Sequence, residues 1–487
     1  MIIKTDSSDF LAYLEDTSNL KGFADTLYIP ENKLEICEIL RDCNMRRKPL
    51  TCSGARTGTT GGCVPLRGGI LSLEKLNKVI DIEVVDKIAK VEAGVPLSVL
   101  EEKLNKFGLT FSPQPTESLA LIGSAVSTGA SGVRGFKYGS IRSYIRAIEI
   151  VLSDGTLMLL KRGKVKAKGR NFFFTYGKKD FKFSLPTYIL PSVKTQAGYF
   201  VCENMDLIDL FIGSEGTLGV IVAVEIAVQN KSEAIFDGVV FFDTEKGGFN
   251  FVEKVIQRKK KRMFSPTSIE FFDGNSLEFL SDEYSHIPKK GCAIYFEQEA
   301  SKDSYENLMN MWINLFKESG VDLECVWIGD NPRERLRIYE FRHRLPEKIN
   351  EFLRKHHQKK LSTDIAVPDK NFYKMYDFYK KEAKKLKISY VNFGHIGERH
   401  LHFNFLPRNE EEYLLGQETI KRFIHYSVSL KGTVSAEHGI GKIKKEYLKV
   451  MFGIDHIKEM AQLKAYFDPY FILGENNIFD KDILRKD

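Results

Sequence analysis

The chain has 487 residues, 43% hydrophobic and 28% charged; this is the composition of a soluble globular protein too long for one ordinary core, and it predicts two or three domains. The net charge of +7 is spread through mixed acids and bases, so charge alone gives no indication of nucleic-acid binding. No apolar run is long enough to span a bilayer, the first residues lack a signal peptide's apolar region, and the seven scattered cysteines contain no Cys-x-x-Cys pair, so the expectation is a cytoplasmic protein with reduced thiols and no iron–sulfur cluster of its own.

Residues 33–43 read as an amphipathic helix and 48–52 as a short strand. The loop that follows carries Ser53, Gly54, Ala55, Arg56, Thr57 and Gly58 and continues to Gly62. Successive backbone N–H groups in such a loop can form an anion-binding nest, and the glycines let the backbone approach a pyrophosphate. It is neither a P-loop, because no Gly-Lys-Ser/Thr follows, nor a Rossmann fingerprint, because Pro65 and a new strand stand where a helix should begin. The same chemistry recurs. After Gly94 and a helix over 97–107, Gln114, Pro115, Thr116 and Ser118 lead to a second run with Gly123, Ser124, Thr128 and Gly132. A third carries Glu215, Gly216 and Gly219 and ends in an apolar strand at Ile221. Three such runs predict one long polar ligand threaded between the halves of a domain over 1–229.

Within that domain, a basic insertion over about 161–199 surrounds Phe172, Phe173 and Phe174 with lysines and arginines. A segment of this kind could touch an anionic membrane surface peripherally or an acidic electron-acceptor protein. A solvated loop whose phenylalanines tuck against the domain accounts for it more simply, and that is the expectation. The Lys259, Lys260, Lys261, Arg262 run is likewise read as a solvated helix end.

From about residue 230 the glycine-rich loops stop. Strands at 238–243, 268–272 and 291–297 and helices at 248–258 and 303–317 suggest an α+β cap domain, over 230–430, with an antiparallel sheet. A helix over 333–354 carries Arg335, Arg337, Arg342 and Arg344, whose planar forks suit a carboxylate. Residues 394–405 then gather three of the ten histidines. From Arg399 onward the pattern alternates, with His400, His402 and Asn404 on one face of a strand and Leu401, Phe403 and Phe405 on the other. His395 precedes it in a Gly-flanked loop. With Glu437, His395 and His402 make a His/His/Glu set suited to a divalent ion, zinc or manganese, that keeps a position open for substrate.

Together, residues 53–62, 91–96, 122–132, Lys137-Tyr138-Gly139, 213–219, His395 and Glu437-His438 resemble the FAD-linked oxidase family. That family has the vanillyl-alcohol-oxidase type of flavin fold and includes glycolate oxidase flavin subunits, D-lactate dehydrogenases and D-2-hydroxyglutarate dehydrogenases. The resemblance runs in order over nearly the whole chain. It implies an α+β fold with a two-part FAD-binding domain, a cap over 230–430, and a C-terminal segment, 431–487, that returns to the flavin. It implies noncovalent FAD, with the pyrophosphate on residues 53–58, Gly123, Ser124, Thr128 and Gly132 along the flavin, and residues 216–221 near the adenine. It further implies a 2-hydroxy acid substrate, D by the family's habit, with its carboxylate clamped by Arg342, and His438 taking the hydroxyl proton as hydride passes to the flavin. A separate electron-transfer flavoprotein, quinone, cytochrome or iron–sulfur protein would accept the electrons.

Several residues depart from the family's pattern. Lys360 is displaced from the lysine of the close dehydrogenases, Pro346 stands where these can carry threonine, and Gly474-Glu475-Asn476-Asn477 replaces an Asn-Pro-Gly-Lys motif. Arg399 and His400 replace a glycine and an asparagine, which makes His400 an extra ligand, a substrate contact or a block. These departures motivate a second reading, a catalytically degenerate flavin-binding or electron-relay subunit. An alkylglycerone-phosphate-synthase-like flavoenzyme, a sugar oxidase and a metallohydrolase built on the histidines are the remaining alternatives.

Overall fold

Asn32 caps the helix Lys33–Arg46 by accepting the N–H groups of Leu34 and Glu35, and Arg47 ends it at a left-handed φ of 54°. Its apolar stripe, Ile36, Ile39, Leu40 and Cys43, packs against Leu50, Leu71, Val220, Val222 and Leu473. Each such aliphatic burial is worth about 1.5–3 kcal/mol relative to exposure. The computed structural model describes residues 1–484 except 114, 116 and 285, so Gln114 and Thr116 lie outside the described residues. The chain divides into two units: Met1–Gly132, Ser140–Lys231 and Val434–Asp487 form the first, and Val133–Gly139 with Ser232–Thr433 the second.

The first unit holds a four-stranded sheet in the order Ile2–Lys4, Thr26–Ile29, Gly69–Ser72, Leu50–Ser53, and a five-stranded antiparallel sheet in the order Val79–Glu83, Ile88–Glu92, Val220–Ala227, Ile145–Val151, Leu157–Lys161. Val220–Ala227 is central and almost wholly buried, which is why the third small-residue run ends in continuous apolar sequence. The last segment is built into this unit. Leu473 bridges Leu50, and the buried Lys464 ammonium donates 2.8 Å bonds to the Thr217 and Leu473 carbonyls and the Asp468 carboxylate.

The basic insertion is a hairpin rather than a loop, with Asn171–Tyr176 paired to Lys179–Ser184. Its inner face is aromatic: Phe172 stacks on Phe183 at 5.1 Å, and Phe183 meets Tyr466 at 5.0 Å. Three consecutive phenylalanines hid the strand alternation, for Phe172 is buried while Phe173 is 57% exposed.

The second unit is built on an eight-stranded antiparallel sheet whose central strands are Ala234–Phe242, Cys292–Ala300, Ser268–Asp273 and Tyr390–Gly394. On one face, Phe236 and Phe296 meet Tyr305 and Trp312 of the helix Tyr305–Glu318. On the other, Phe241 and Phe272 pack on Phe341 of the helix Pro332–Lys355, which runs on through Pro346. The expected strands and helices all form, most of them a few residues longer. One expectation fails at the end of the helix Glu245–Lys260: Lys259 is not a solvated lysine. Its ammonium lies 3.5 Å from the Phe136 ring centroid, and burial lowers its pKa to about 8 against the opposing charge of Glu398.

Candidate functional site

In the first unit the three small-residue runs converge on one cavity of about 340 Å³. Ser53, Gly54, Ala55, Arg56, Thr57 and Gly58 line it from the first run, Pro115, Gly123, Ser124 and Thr128 from the second, and Glu215 and Gly216 from the third. The walls come together where side chains are missing. A Cβ on Gly54 would stand 2.0 Å from Ser124 Oγ, and one on Gly123 would stand 2.5 Å from Ala93 Cβ. Arg56 stiffens the loop, stacking on Tyr13 at 4.2 Å and donating to the Gly54 carbonyl at 3.2 Å. The second run folds in part as a helix, Ile122–Thr128.

Glu437 and His438 also line this cavity, and the segment carrying them is laced to the runs. Glu215 accepts the N–H groups of Ile440 at 2.7 Å and Gly441 at 2.6 Å; burial raises its pKa, and those two bonds oppose the rise. Thr60 Oγ1 donates to the His438 carbonyl at 3.4 Å. The Glu437 carboxylate takes a 3.1 Å bond from Ser131 and pairs with the Lys194 ammonium. Lys194 was not singled out in the sequence, because it closes a stretch crowded with other lysines. Four expected cofactor contacts are not among the lining residues. Ser118 gives its carbonyl to Ser98 N–H, Gly132 is buried beside Ser131, Gly219 packs on Ile150, and Ile221 lies within the strand Val220–Ala227.

The second unit carries the histidines. The strand Tyr390–Gly394 pairs with His400–Phe405, and a tight turn joins them. Gly394, at φ 128°, is needed there because a Cβ would meet the His402 ring at 3.0 Å. Arg399 belongs to the turn and not to the strand face: its φ is 57°, and its guanidinium pairs with Glu253 at 2.7 Å. The rings of His395, His400 and His402 lie 4.5–5.7 Å apart, and one nitrogen from each falls within 4.8 Å of the others. Three such imidazoles suit a borderline divalent ion. His400 is fully buried, its Nε2 3.0 Å from Asp364 Oδ1.

Arg342 does not present an open fork. Its Nε and Nη2 donate to the two oxygens of Glu270 at 2.8 and 2.9 Å, and Glu270 Oε1 lies 3.0 Å from His395 Nδ1. Burial alone would push the Glu270 carboxyl up, but Arg342 and His395 outweigh it and hold it well below the usual carboxylate range. A carboxylate fixed in this way favours the tautomer with the proton on His395 Nδ1, which leaves Nε2 as the ligand atom. Glu270 was missed because it sits as a single acid between Ile269 and Phe271, with no polar pattern around it to mark a site.

A glycine-walled cavity in an α+β unit, with a histidine cluster on a second sheet, defines a cofactor-dependent enzyme. Residues 24–161 match the family described as FAD binding domain, and residues 233–477, half of the chain, match FAD linked oxidases, C-terminal domain. The chain belongs to the FAD-linked oxidases and is an FAD-linked oxidoreductase. It is 27% identical to "Glycolate oxidase subunit GlcD" of Bacillus subtilis, covering 98% of this chain and 93% of that one. It is 28% identical to a D-lactate dehydrogenase of Archaeoglobus fulgidus, with 93% and 90% covered. The mitochondrial D-2-hydroxyglutarate dehydrogenase of Rattus norvegicus is 27% identical, with 93% and 78% covered. A solved alkyldihydroxyacetonephosphate synthase shares the fold with a TM-score of 0.69 and 16% identity, over 97% of this chain and 82% of that one. Among the described residues no helix is long and apolar enough to cross a membrane.

Proposed function

We propose that this chain oxidises a 2-hydroxy acid, of the D series, to the 2-oxo acid, with noncovalent FAD and a divalent metal ion. The observation that carries the reading is the convergence of His395, His400 and His402 in a chain with both FAD-linked oxidase domains. Relatives named for glycolate, D-lactate and D-2-hydroxyglutarate support the substrate class. The close approach at Gly54 and Gly123 fits a flavin: the backbone of residues 53–58 would hold its pyrophosphate, with Gly123, Ser124 and Thr128 alongside. His395 and His402, with His400 beside them, would hold zinc or manganese.

Bound FAD would supply the hydride acceptor and the ion a Lewis acid for the substrate hydroxyl. His438, at the cavity wall, accepts the hydroxyl proton. Glu270 holds His395 in one tautomer, and Arg342 holds Glu270. We assign Arg342 this holding role in place of the carboxylate clamp that the resemblance implies, because Glu270 engages its fork on two arms. Electrons would leave to a separate electron-transfer flavoprotein, quinone or iron–sulfur protein.

Anaerobic mixing of the yellow protein with a panel of D- and L-2-hydroxy acids tests the reading, the expected result being bleaching of the flavin by at least one D acid. EDTA should abolish that bleaching with FAD retained, and zinc or manganese should restore it; full activity without metal would remove the ion from the mechanism. The occupied Arg342 fork favours one second reading, an electron-relay subunit with a degenerate site, for which a flavin that no hydroxy acid bleaches is the expected result.

A further inference from the structure

The basic hairpin has an outer face that the oxidoreductase chemistry does not use. Residues directly opposed in an antiparallel pair point their side chains to the same side of the sheet. Phe173 opposes Lys182, Asn171 opposes Ser184, and Lys168 bridges Asn171. Lys166, two residues before Lys168, falls on that side too, and all of these residues are exposed while their neighbours Ala167, Phe172, Phe181 and Phe183 are buried. The result is one solvent-facing surface with Phe173, 57% exposed, among Lys166, Lys168 and Lys182; the Lys182 ammonium lies 5.6 Å from the Phe173 ring centroid.

None of these three ammonium groups forms an ion pair among the described residues. Within the hairpin Asn171–Ser184 the one carboxylate is that of Asp180, which accepts a 2.6 Å bond from Thr175. Asp206, opposite Lys166, is buried and accepts the backbone N–H groups of Gly163 and Ile208. The segment's two arginines are turned elsewhere: Arg162 pairs with Asp209, and Arg170 donates to the carbonyls of Pro186 and Tyr188.

We propose that this face docks on an anionic lipid surface. Its cations are all lysines, flexible point charges that suit a diffuse field of phosphates. A specific acidic protein would instead be read by arginine forks, and this face presents none. The single exposed phenylalanine at their centre supplies an apolar anchor at headgroup depth, and the packed inner face keeps the hairpin rigid beneath it.

The test is co-sedimentation of the FAD-loaded protein with phosphatidylcholine vesicles containing phosphatidylglycerol and with phosphatidylcholine vesicles alone, at low and high salt. Binding is expected to the anionic vesicles only and to weaken with salt. The K166Q/K168Q/K182Q variant should bind on the order of 100-fold more weakly, and F173S several-fold more weakly, both with unchanged flavin absorbance and turnover. No binding of the parent protein to anionic vesicles, or equal binding by the triple variant, would overturn the proposal. Retention of the parent by an acidic protein column under conditions where vesicles fail would overturn it as well, in favour of a protein partner.

Discussion

In the first unit the candidate site is an open space walled by backbone, with Gly54 and Gly123 permitting approaches that any Cβ would block. In the second it is a packed knot of buried polar side chains, in which Glu270 joins Arg342 to His395 and Asp364 abuts His400. A backbone-walled cavity is organised by what is absent, and it tolerates change at most positions that do not add atoms. A buried charge knot is organised by matched partners, and removing one leaves another uncompensated in a low dielectric.

The sharpest way to break this contrast is Glu270→Ala. Arg342 and Glu270 are 10% and 5% exposed, so the stranded guanidinium should cost about 3–5 kcal/mol, read as a large fall in Tm. The double variant E270L/R342M should recover most of it; no recovery would show that the pair is not the source. Next is Gly123→Ala, whose new Cβ would meet Ala93, including its backbone. A cost of about 1–3 kcal/mol is expected from such overpacking, together with at least roughly ten-fold weaker FAD binding by fluorescence titration. Gly54→Ala meets only the flexible Ser124 hydroxyl closely, so S124A should rescue G54A but not G123A.

Asp237 gives a pH-dependent version of the same comparison. Burial raises its pKa to about 7 against the opposing charge of Arg335. The folded state therefore binds a proton that the unfolded state releases near its ordinary value of about 4, and stability should decline as pH rises from about 4 to 7. Asp237→Asn removes that slope, so its Tm relative to the parent should be higher at pH 8 than at pH 5; parallel curves would contradict the shift. The smallest effect is expected at Arg399. Replacement by glycine removes the cost of a left-handed φ of 57° but also the pair with Glu253 and the stacking on Phe372 at 5.1 Å. A net change within about 1 kcal/mol is expected for R399G, and a clear loss in Tm for R399A, which keeps the strain without the contacts.

What could be read in the sequence follows the same division. The glycine and hydroxyl runs are local compositions, and they led directly to the residues that line the cavity. The strand of His400, His402 and Asn404 was readable because its alternation has a period of two. The partners that fix these sites were not readable, because they come from far along the chain: Arg342 is 72 residues from Glu270, and Lys194 is 243 from Glu437. Arg342 was identified as an important arginine, but its occupant was not, since a fork that suits a substrate carboxylate suits a protein carboxylate equally well. Lys259 was misjudged for the same reason: the Phe136 ring it covers lies on a distant segment.

The return of residues 434–487 to the first unit also sets a timetable for synthesis. Leu50, an early residue, finds its bridge at Leu473, and the helix Lys33–Arg46 buries part of its stripe on that late strand position. Chains grow at roughly 5–20 residues per second, so the first-made unit waits on the order of tens of seconds, while the second emerges, before its core can close. Through that interval the edge of Leu50–Ser53 that will later hold Leu473 has no partner on the nascent chain. The order of emergence thus leaves this unit, and not the one inserted into it, with an edge strand that waits for the end of the chain.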